Sequence, residues 1–190
     1  MEDRLLRVDM TSLETSFEPF PEAWRLLGGR ALTARVLTEQ ADPRCDPLGS
    51  ENLLVVAPGL LSGTSVPTSG RISFGAQSPR TGGIKEANAG GEPGQHLMRL
   101  GVRAIVVRGQ PADAARLYAL EIDSQGARIV PADEHAGRWN YALCDRLCER
   151  YATTASFIVI GPAGELRLKG ASIACTDRED RIPSRHAARG

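Results

Sequence analysis

The sequence has 190 residues, of which 42% are hydrophobic and 24% charged, a composition typical of a soluble globular domain. Basic and acidic residues number 23 each, so the charge gives no reason to expect binding to nucleic acid or to an acidic membrane. No apolar run approaches the ~20 residues of a membrane-spanning helix, and no signal peptide is recognisable, so we expect no membrane insertion and a cytoplasmic location.

The first half of the chain predicts a strand pair, a long helix and two further strands. Residues 5–10 alternate in strand fashion, and Thr11 and Ser12 supply a turn before the returning strand 14–20. The helix covers residues 22–40 and is interrupted at Gly28 and Gly29, where a break or a close backbone approach is expected. Two more strands are predicted at residues 53–57 and 71–76.

The second half predicts shorter elements. A helix at 95–100 ends at Gly101, and a buried strand follows at 104–107. A hairpin, a helix and two last strands follow, at 117–122 with 127–130, at 139–151, and at 157–160 and 171–175. Because the strands come in groups and do not alternate regularly with helices, we predict the α+β class, with two mixed or antiparallel β-sheets and about three helices in one domain, residues 1–190.

No catalytic residue can be assigned from spacing. The sequence lacks zinc-protease, hydrolase and paired-cysteine zinc motifs, and its three histidines are dispersed. Cys144 and Cys148 stand four apart on a predicted helix. A metal or cluster role is open, but we favour small, half-buried thiols in a reducing compartment.

Three segments carry candidate binding residues. Residues 82–94 are rich in glycine, which lets backbone N–H groups approach a bulky anion, and a helix follows. Within that segment Asn88 offers an amide and a carbonyl, although a purely structural loop would look similar. Arg71 follows a loop of small hydroxyl residues and could clamp a phosphate or a pterin edge, or be a solvated surface charge. The basic end of the chain, residues 184–190, holds Arg185 and His186 and could equally be a frayed terminus.

Together these motifs resemble the N-terminal domain of the aldehyde ferredoxin oxidoreductase family, the tungsten (sometimes molybdenum) bis-pterin enzymes. The resemblance spans nearly the whole chain and includes C-D-P-L-G-S-E-N-L-L-V-V-A-P-G, S-G-T-S-V-P-T-S-G-R, S-P-R-T-G-G-I-K-E-A-N-A-G-G and S-R-H-A-A-R-G. The K-E-A-N-A-G-G and S-R-H-A-A-R-G variants look closer to the uncharacterised bacterial branch.

The resemblance implies two β-sheets that form a base for two pyranopterins chelating one tungsten, with a Mg²⁺ shared by their phosphates. It implies that Arg71 contacts a pterin near an iron–sulfur cluster and that Asn88 helps to bind the magnesium–phosphate bridge. The cofactor-binding residues that it implies are Arg71, Asn88, Gly90, Gly91, Arg185, His186 and Ala188. The [4Fe-4S] cluster would be bound mainly by residues beyond this chain.

The family reaction would oxidise an aldehyde to a carboxylate and pass electrons to ferredoxin. The expected partners are ferredoxin or another iron–sulfur electron-transfer protein, C-terminal domains of the same enzyme and, for an exposed cofactor face, a second copy of the chain. Arg80 stands where the family commonly has leucine, and Glu92-Pro93 where many members have an aromatic pair, which bears on the substrate. The chain stops at Gly190 inside a family motif, so we expect it to be truncated from a longer chain and inactive when isolated. A non-catalytic pterin- or nucleotide-binding scaffold subunit is the alternative, and a generic phosphate-binding domain is a third possibility.

Overall fold

The computed structural model describes residues 2–179 and 181–187. Within them, four α-helices and eleven strands are assigned. The helices are α1 (Gly29–Gln40), α2 (Pro93–Arg99), α3 (Asn140–Arg150) and α4 (Pro162–Glu165). The strands are β1 (Arg4–Asp9), β2 (Glu14–Pro19), β3 (Leu54–Pro58), β4 (Ile72–Gln77), β5 (Ile84–Ala89), β6 (Val102–Arg108), β7 (Tyr118–Asp123), β8 (Gly126–Pro131), β9 (Ile158–Val159), β10 (Ile173–Cys175) and β11 (Arg185–Ala187).

A six-stranded mixed sheet forms the centre of the fold. Its strand order is β2-β1-β6-β3-β4-β5. β1 and β6 pair in parallel, and the other neighbouring strands pair antiparallel. The remaining strands form an antiparallel three-stranded sheet, β11-β10-β9, and the hairpin β7-β8.

Both faces of the central sheet are covered, because successive side chains of a strand point to opposite faces. Leu5, Val55 and Ala104 pack with α1 on one face, while their neighbours Leu6, Val56 and Ile105 belong to the core of the other face. Helix α1 lies close to the sheet at Gly75 of β4, where a Cβ would come within 2.8 Å of the Cβ of Thr33. The absence of a side chain at Gly75 therefore sets the distance between helix and sheet.

The two smaller sheets cover the second face. Cys175 of β10 and Ala187 of β11 are buried in the same core as Ala89 of β5. Leu120 and Ile129 of the β7-β8 hairpin pack against that core as well. This arrangement brings the end of the described chain back against the edge strand of the central sheet.

The predicted α+β class with mixed and antiparallel sheets is confirmed, although the strands are divided among three sheets. The break at Gly28 and Gly29 is real: a short 3-10 helix covers Glu22–Trp24, and α1 begins only at Gly29. Two strands and one α-helix of the described residues are missing from the sequence prediction, namely β5 in the glycine-rich segment, β11 in the basic terminus and the one-turn helix α4. No described helix combines the length and the apolar character needed to cross a bilayer.

Candidate functional site

Two predicted site residues meet where β4 begins and β5 ends. Ile72 pairs with Ala89 and Ser73 with Asn88, so Arg71 and Gly90 flank the last pair of the ladder. Arg71 donates from Nε to the side-chain oxygen of Asn88, and its Nη2 lies 3.4 Å from the Asn88 backbone oxygen. The Nδ2 of Asn88 donates to the hydroxyl of Ser73 at 3.0 Å. Asn88 is therefore fixed on a strand and orients the guanidinium of Arg71.

The two glycines after β5 allow the chain to approach β10 closely. Gly91 has φ of +102°, and a Cβ there would lie 2.4 Å from the backbone oxygen of Thr176. The amide of Glu92 donates to that same oxygen at 3.0 Å. A Cβ on Gly90 would lie 3.9 Å from Cδ of Arg185. Glycine is thus required at Gly91 by both conformation and space, and Gly90 lies beside the Arg185 side chain.

The basic terminus is held in place by β11, which pairs with β10. Arg185 pairs with Cys175 and His186 with Ala174. Ala187 is buried, whereas Arg185 and His186 are exposed. Since neighbouring residues of a strand point in opposite directions, His186 faces away from the side that carries Arg185 and Ala187.

The structure thus brings Arg71, Asn88, Gly90 and Arg185 to one region. It leaves His186 on the other side of β11, and Ala188 lies outside the described residues.

The charge of this region suits an anion. Among residues 2–179 and 181–187, no carboxylate lies within ion-pairing distance of Arg71 or Arg185. By contrast, Arg30 is paired with Glu86 on the same strand as Asn88, with 2.8 Å between Nε and Oε2. Two exposed guanidinium groups with no carboxylate partner in the described part of the chain, beside glycine backbone, suit an anion with several oxygens, such as a phosphate.

The protein offers fewer ligands to a metal than to an anion. No group of three or more His, Cys, Asp or Glu side chains in the described part of the chain could hold a metal ion. Asn88 offers two oxygens, and each keeps a second lone pair beside its contact with Arg71. An oxygen of this kind suits Mg²⁺ only as one ligand beside phosphates and water.

A polar cluster follows the glycines in the first turn of α2. The Nε2 of His96 lies 3.2 Å from a Glu92 carboxylate oxygen, and its Nδ1 lies 2.8 Å from the Ser156 hydroxyl. Burial lowers the pKa of His96, although the Glu92 carboxylate acts in the opposite direction. The His96 ring is therefore half-buried and has a polar partner at each of its two nitrogens.

The four cysteines are free thiols. Burial raises the pKa of Cys144 and of Cys175 to about 12 each, which keeps both in the neutral form. The side chain of Cys144, a residue of α3, packs with Val159 of β9 and Ala174 of β10. These surroundings agree with small buried side chains rather than cluster ligands.

Two residues that were not singled out from the sequence hold the loop before Arg71. Ser62 is 1% exposed, and its hydroxyl lies 2.7 Å from the Ser69 oxygen and 3.2 Å from the Arg71 oxygen. The side-chain oxygen of Gln95 accepts a hydrogen bond from the Gly63 amide. The only available signal was the dense run of small hydroxyl residues before Arg71, which does not tell a buried serine from its exposed neighbours.

Comparisons with known proteins find related enzymes that are longer than this chain. The chain is 38% identical to the tungsten-containing aldehyde ferredoxin oxidoreductase of Thermococcus kodakarensis and 35% identical to that of Pyrococcus furiosus. Each match covers 90% of this chain and 28% of the relative, so the chain spans little more than a quarter of these enzymes.

A solved structure has the same fold. It is the active-site complex BamBC of benzoyl coenzyme A reductase with 1,5-dienoyl-CoA, with a TM-score of 0.88 and 27% identity. The match covers 98% of this chain and 28% of that one. The family model of the aldehyde ferredoxin oxidoreductase N-terminal domain matches residues 5–190. The chain therefore belongs to the aldehyde ferredoxin oxidoreductase N-terminal domain family.

Proposed function

We propose that residues 1–190 act as the N-terminal cofactor-binding domain of a tungsten (or molybdenum) bis-pterin oxidoreductase. The proposed enzyme converts an aldehyde and water into a carboxylic acid and releases two protons and two electrons, the electrons passing to ferredoxin. When bound, the tungsten–pterin group supplies this redox chemistry, while the protein supplies position and electrostatics. The observation that carries the proposal is the convergence of Arg71, Asn88, Gly90 and Arg185 at the end of β5.

Each residue has a separate task in this proposal. Arg71 presents a guanidinium whose direction is fixed by Asn88, so little side-chain freedom is lost when a polar ring edge or a phosphate binds. Gly90 leaves room for a bulky ligand to approach the backbone, and Arg185 supplies a second positive charge beside it. Gly91 keeps β5 and β10 close, which holds the two arginines in one region.

The wider assignments depend on the same proposal. Asn88 would offer an oxygen to a Mg²⁺ that bridges the cofactor phosphates, and Ala188 would complete the surface. His186, which faces away from Arg185, would not contribute to it. A [4Fe-4S] cluster bound by other parts of the polypeptide would accept the electrons, and ferredoxin would remove them. We also propose a cytoplasmic enzyme, since free thiols fit a reducing compartment, and membership of the bacterial branch.

The test uses the full polypeptide that contains this sequence. It is purified without oxygen from cells grown with tungstate or with molybdate, and its metal and pterin contents are measured before turnover is assayed with several aldehydes. We expect stoichiometric metal, about two pterins per metal and aldehyde-dependent reduction of a viologen dye or ferredoxin. A folded protein without metal and pterin would contradict the proposal and favour the scaffold alternative.

One observation favours a second candidate for the substrate. The fold is shared over 98% of the chain with a benzoyl coenzyme A reductase complex. A protein that contains metal and pterin but oxidises no aldehyde would therefore be assayed for reduction of an aromatic coenzyme A thioester. Turnover in that assay alone would retain the cofactor site and replace the reaction.

A further inference from the structure

The backbone around Arg71 is held by a buried hydroxyl. The Ser62 hydroxyl has one proton and lies within hydrogen-bonding distance of two carbonyl oxygens, those of Ser69 and Arg71. It therefore bridges the two carbonyls on either side of Gly70. Because Ser62 is only 1% exposed, a solvent molecule cannot readily take the place of its hydroxyl.

The same two carbonyls also have backbone donors. The Arg71 amide donates to the Ser69 oxygen at 2.9 Å, and the Gly59 amide donates to the Arg71 oxygen at 2.8 Å. Loss of the Ser62 hydroxyl would leave neither carbonyl unsatisfied, so the fold does not depend on it. The hydroxyl fixes the orientation of the peptide groups at residues 69–71, and this orientation sets the direction of the Arg71 side chain.

Helix α2 supports the bridge from the other side. Gln95 accepts from the Gly63 amide, and a Cβ on Gly70 would come within 2.7 Å of Gln95 Nε2. Gly94 is also near this segment, since a Cβ there would be 3.3 Å from the Arg71 oxygen. Residues 69–71 thus lie between Ser62 and the first turn of α2.

We propose that Ser62, supported by Gln95, is a positioning residue for Arg71 and acts on the cofactor only through the Arg71 guanidinium. This inference depends on the proposed function of Arg71. A deviation of the peptide groups at residues 69–71 moves the guanidinium away from Asn88, and the charge-assisted contacts of a misaligned guanidinium weaken.

The experiment is a double-mutant cycle in the full-length holoprotein. It measures how fast pterin is lost during dialysis, by the fluorescence of oxidised pterin, for wild type, Ser62→Ala, Arg71→Lys and the double variant. We expect Arg71→Lys to accelerate pterin loss about tenfold, because lysine cannot reproduce the two contacts of the guanidinium with Asn88. Ser62→Ala is expected to accelerate pterin loss about threefold. In the Arg71→Lys background, Ser62→Ala is expected to add almost nothing.

Two further variants separate positioning from stability. Gln95→Met removes the support without touching Ser62 and is expected to accelerate pterin loss, so it tests the inference if Ser62→Ala does not fold. Asn52→Ala is the control, because Asn52 fixes the other end of β4 through the Gln77 backbone. It should lower the melting temperature and leave the pterin loss rate unchanged.

The possible results distinguish the inference from the proposed function. If Arg71→Lys does not change pterin loss, the role of Arg71 is wrong and the inference fails with it. If Arg71→Lys accelerates pterin loss but Ser62→Ala does not, only the inference about Ser62 fails. It also fails if Ser62→Ala accelerates pterin loss by the same factor in wild type and in the Arg71→Lys variant.

Discussion

Replacing Gly91 with alanine should loosen the contact between β5 and β10. An alanine there would hold a left-handed φ of +102°, which costs a residue with a side chain ~1–2 kcal/mol. Its Cβ would also lie 2.4 Å from the Thr176 oxygen, so that oxygen must retreat by roughly 0.6 Å before the contact is tolerable. The retreat weakens the Glu92–Thr176 hydrogen bond by ~1 kcal/mol. We expect Gly91→Ala to destabilise the contact between β5 and β10 by ~2–3 kcal/mol.

The assay is hydrogen exchange followed by mass spectrometry on the full-length protein. A loss of ~2–3 kcal/mol should accelerate exchange in peptides that cover β10 by roughly 30- to 150-fold. Gly82→Ala is the matched control, since Gly82 also has a positive φ (+72°) but no atom lies within 4 Å of its Cβ position. If hydrogen exchange in β10 is equally slow in Gly91→Ala and Gly82→Ala, the reasoning is refuted, because the clash with the Thr176 oxygen would then not destabilise the contact between β5 and β10.

Three further predictions concern buried polar groups. Arg103→Met should lower the free energy of unfolding by ~2 kcal/mol, measured by denaturant titration, because the buried guanidinium bonds two backbone oxygens; an unchanged midpoint would contradict this. The lowered pKa of His96 means that the unfolded chain binds its proton more readily, so stability should fall as the pH drops below about 6.5. His96→Gln should flatten that part of the profile of melting temperature against pH, and an identical slope would show that other groups cause it. Burial raises the pKa of Cys144 and Cys175 to about 12 each, so iodoacetamide at pH 8 should leave both thiols unmodified in the native protein and alkylate them after unfolding. The modified residues are identified by peptide mapping, and alkylation of either cysteine in the native protein would be inconsistent with their burial.

The sequence predicted the interior of the fold well, because its signals there are local. Val55 and Val56 lie in a short apolar run, and α1 carries its apolar residues at helical spacing, so both elements follow from pattern alone. β5 was missed because only Ala87 and Ala89 mark its core face, and alanine has no preference for strands. Its conformation depends on pairing with β4, which is a tertiary contact.

The candidate site was predicted in its residues but not in its geometry. Arg71 and Asn88 were singled out by motif, yet their hydrogen bond depends on the register of β4 against β5. Arg185 reaches the same region only because β11 pairs with β10. The sequence contains no local trace of that pairing, and for the same reason the opposite orientation of His186 could not be foreseen.

The most direct test of the central claim is the position of the metal in a crystal structure of the full-length protein, found by anomalous scattering at a tungsten absorption edge. We expect pterin density in contact with Arg71 and Arg185 in front of Gly90, and the metal peak on the side of the central sheet to which these two side chains point. Pterin density or a metal peak elsewhere, with these two arginines facing only solvent, would contradict it.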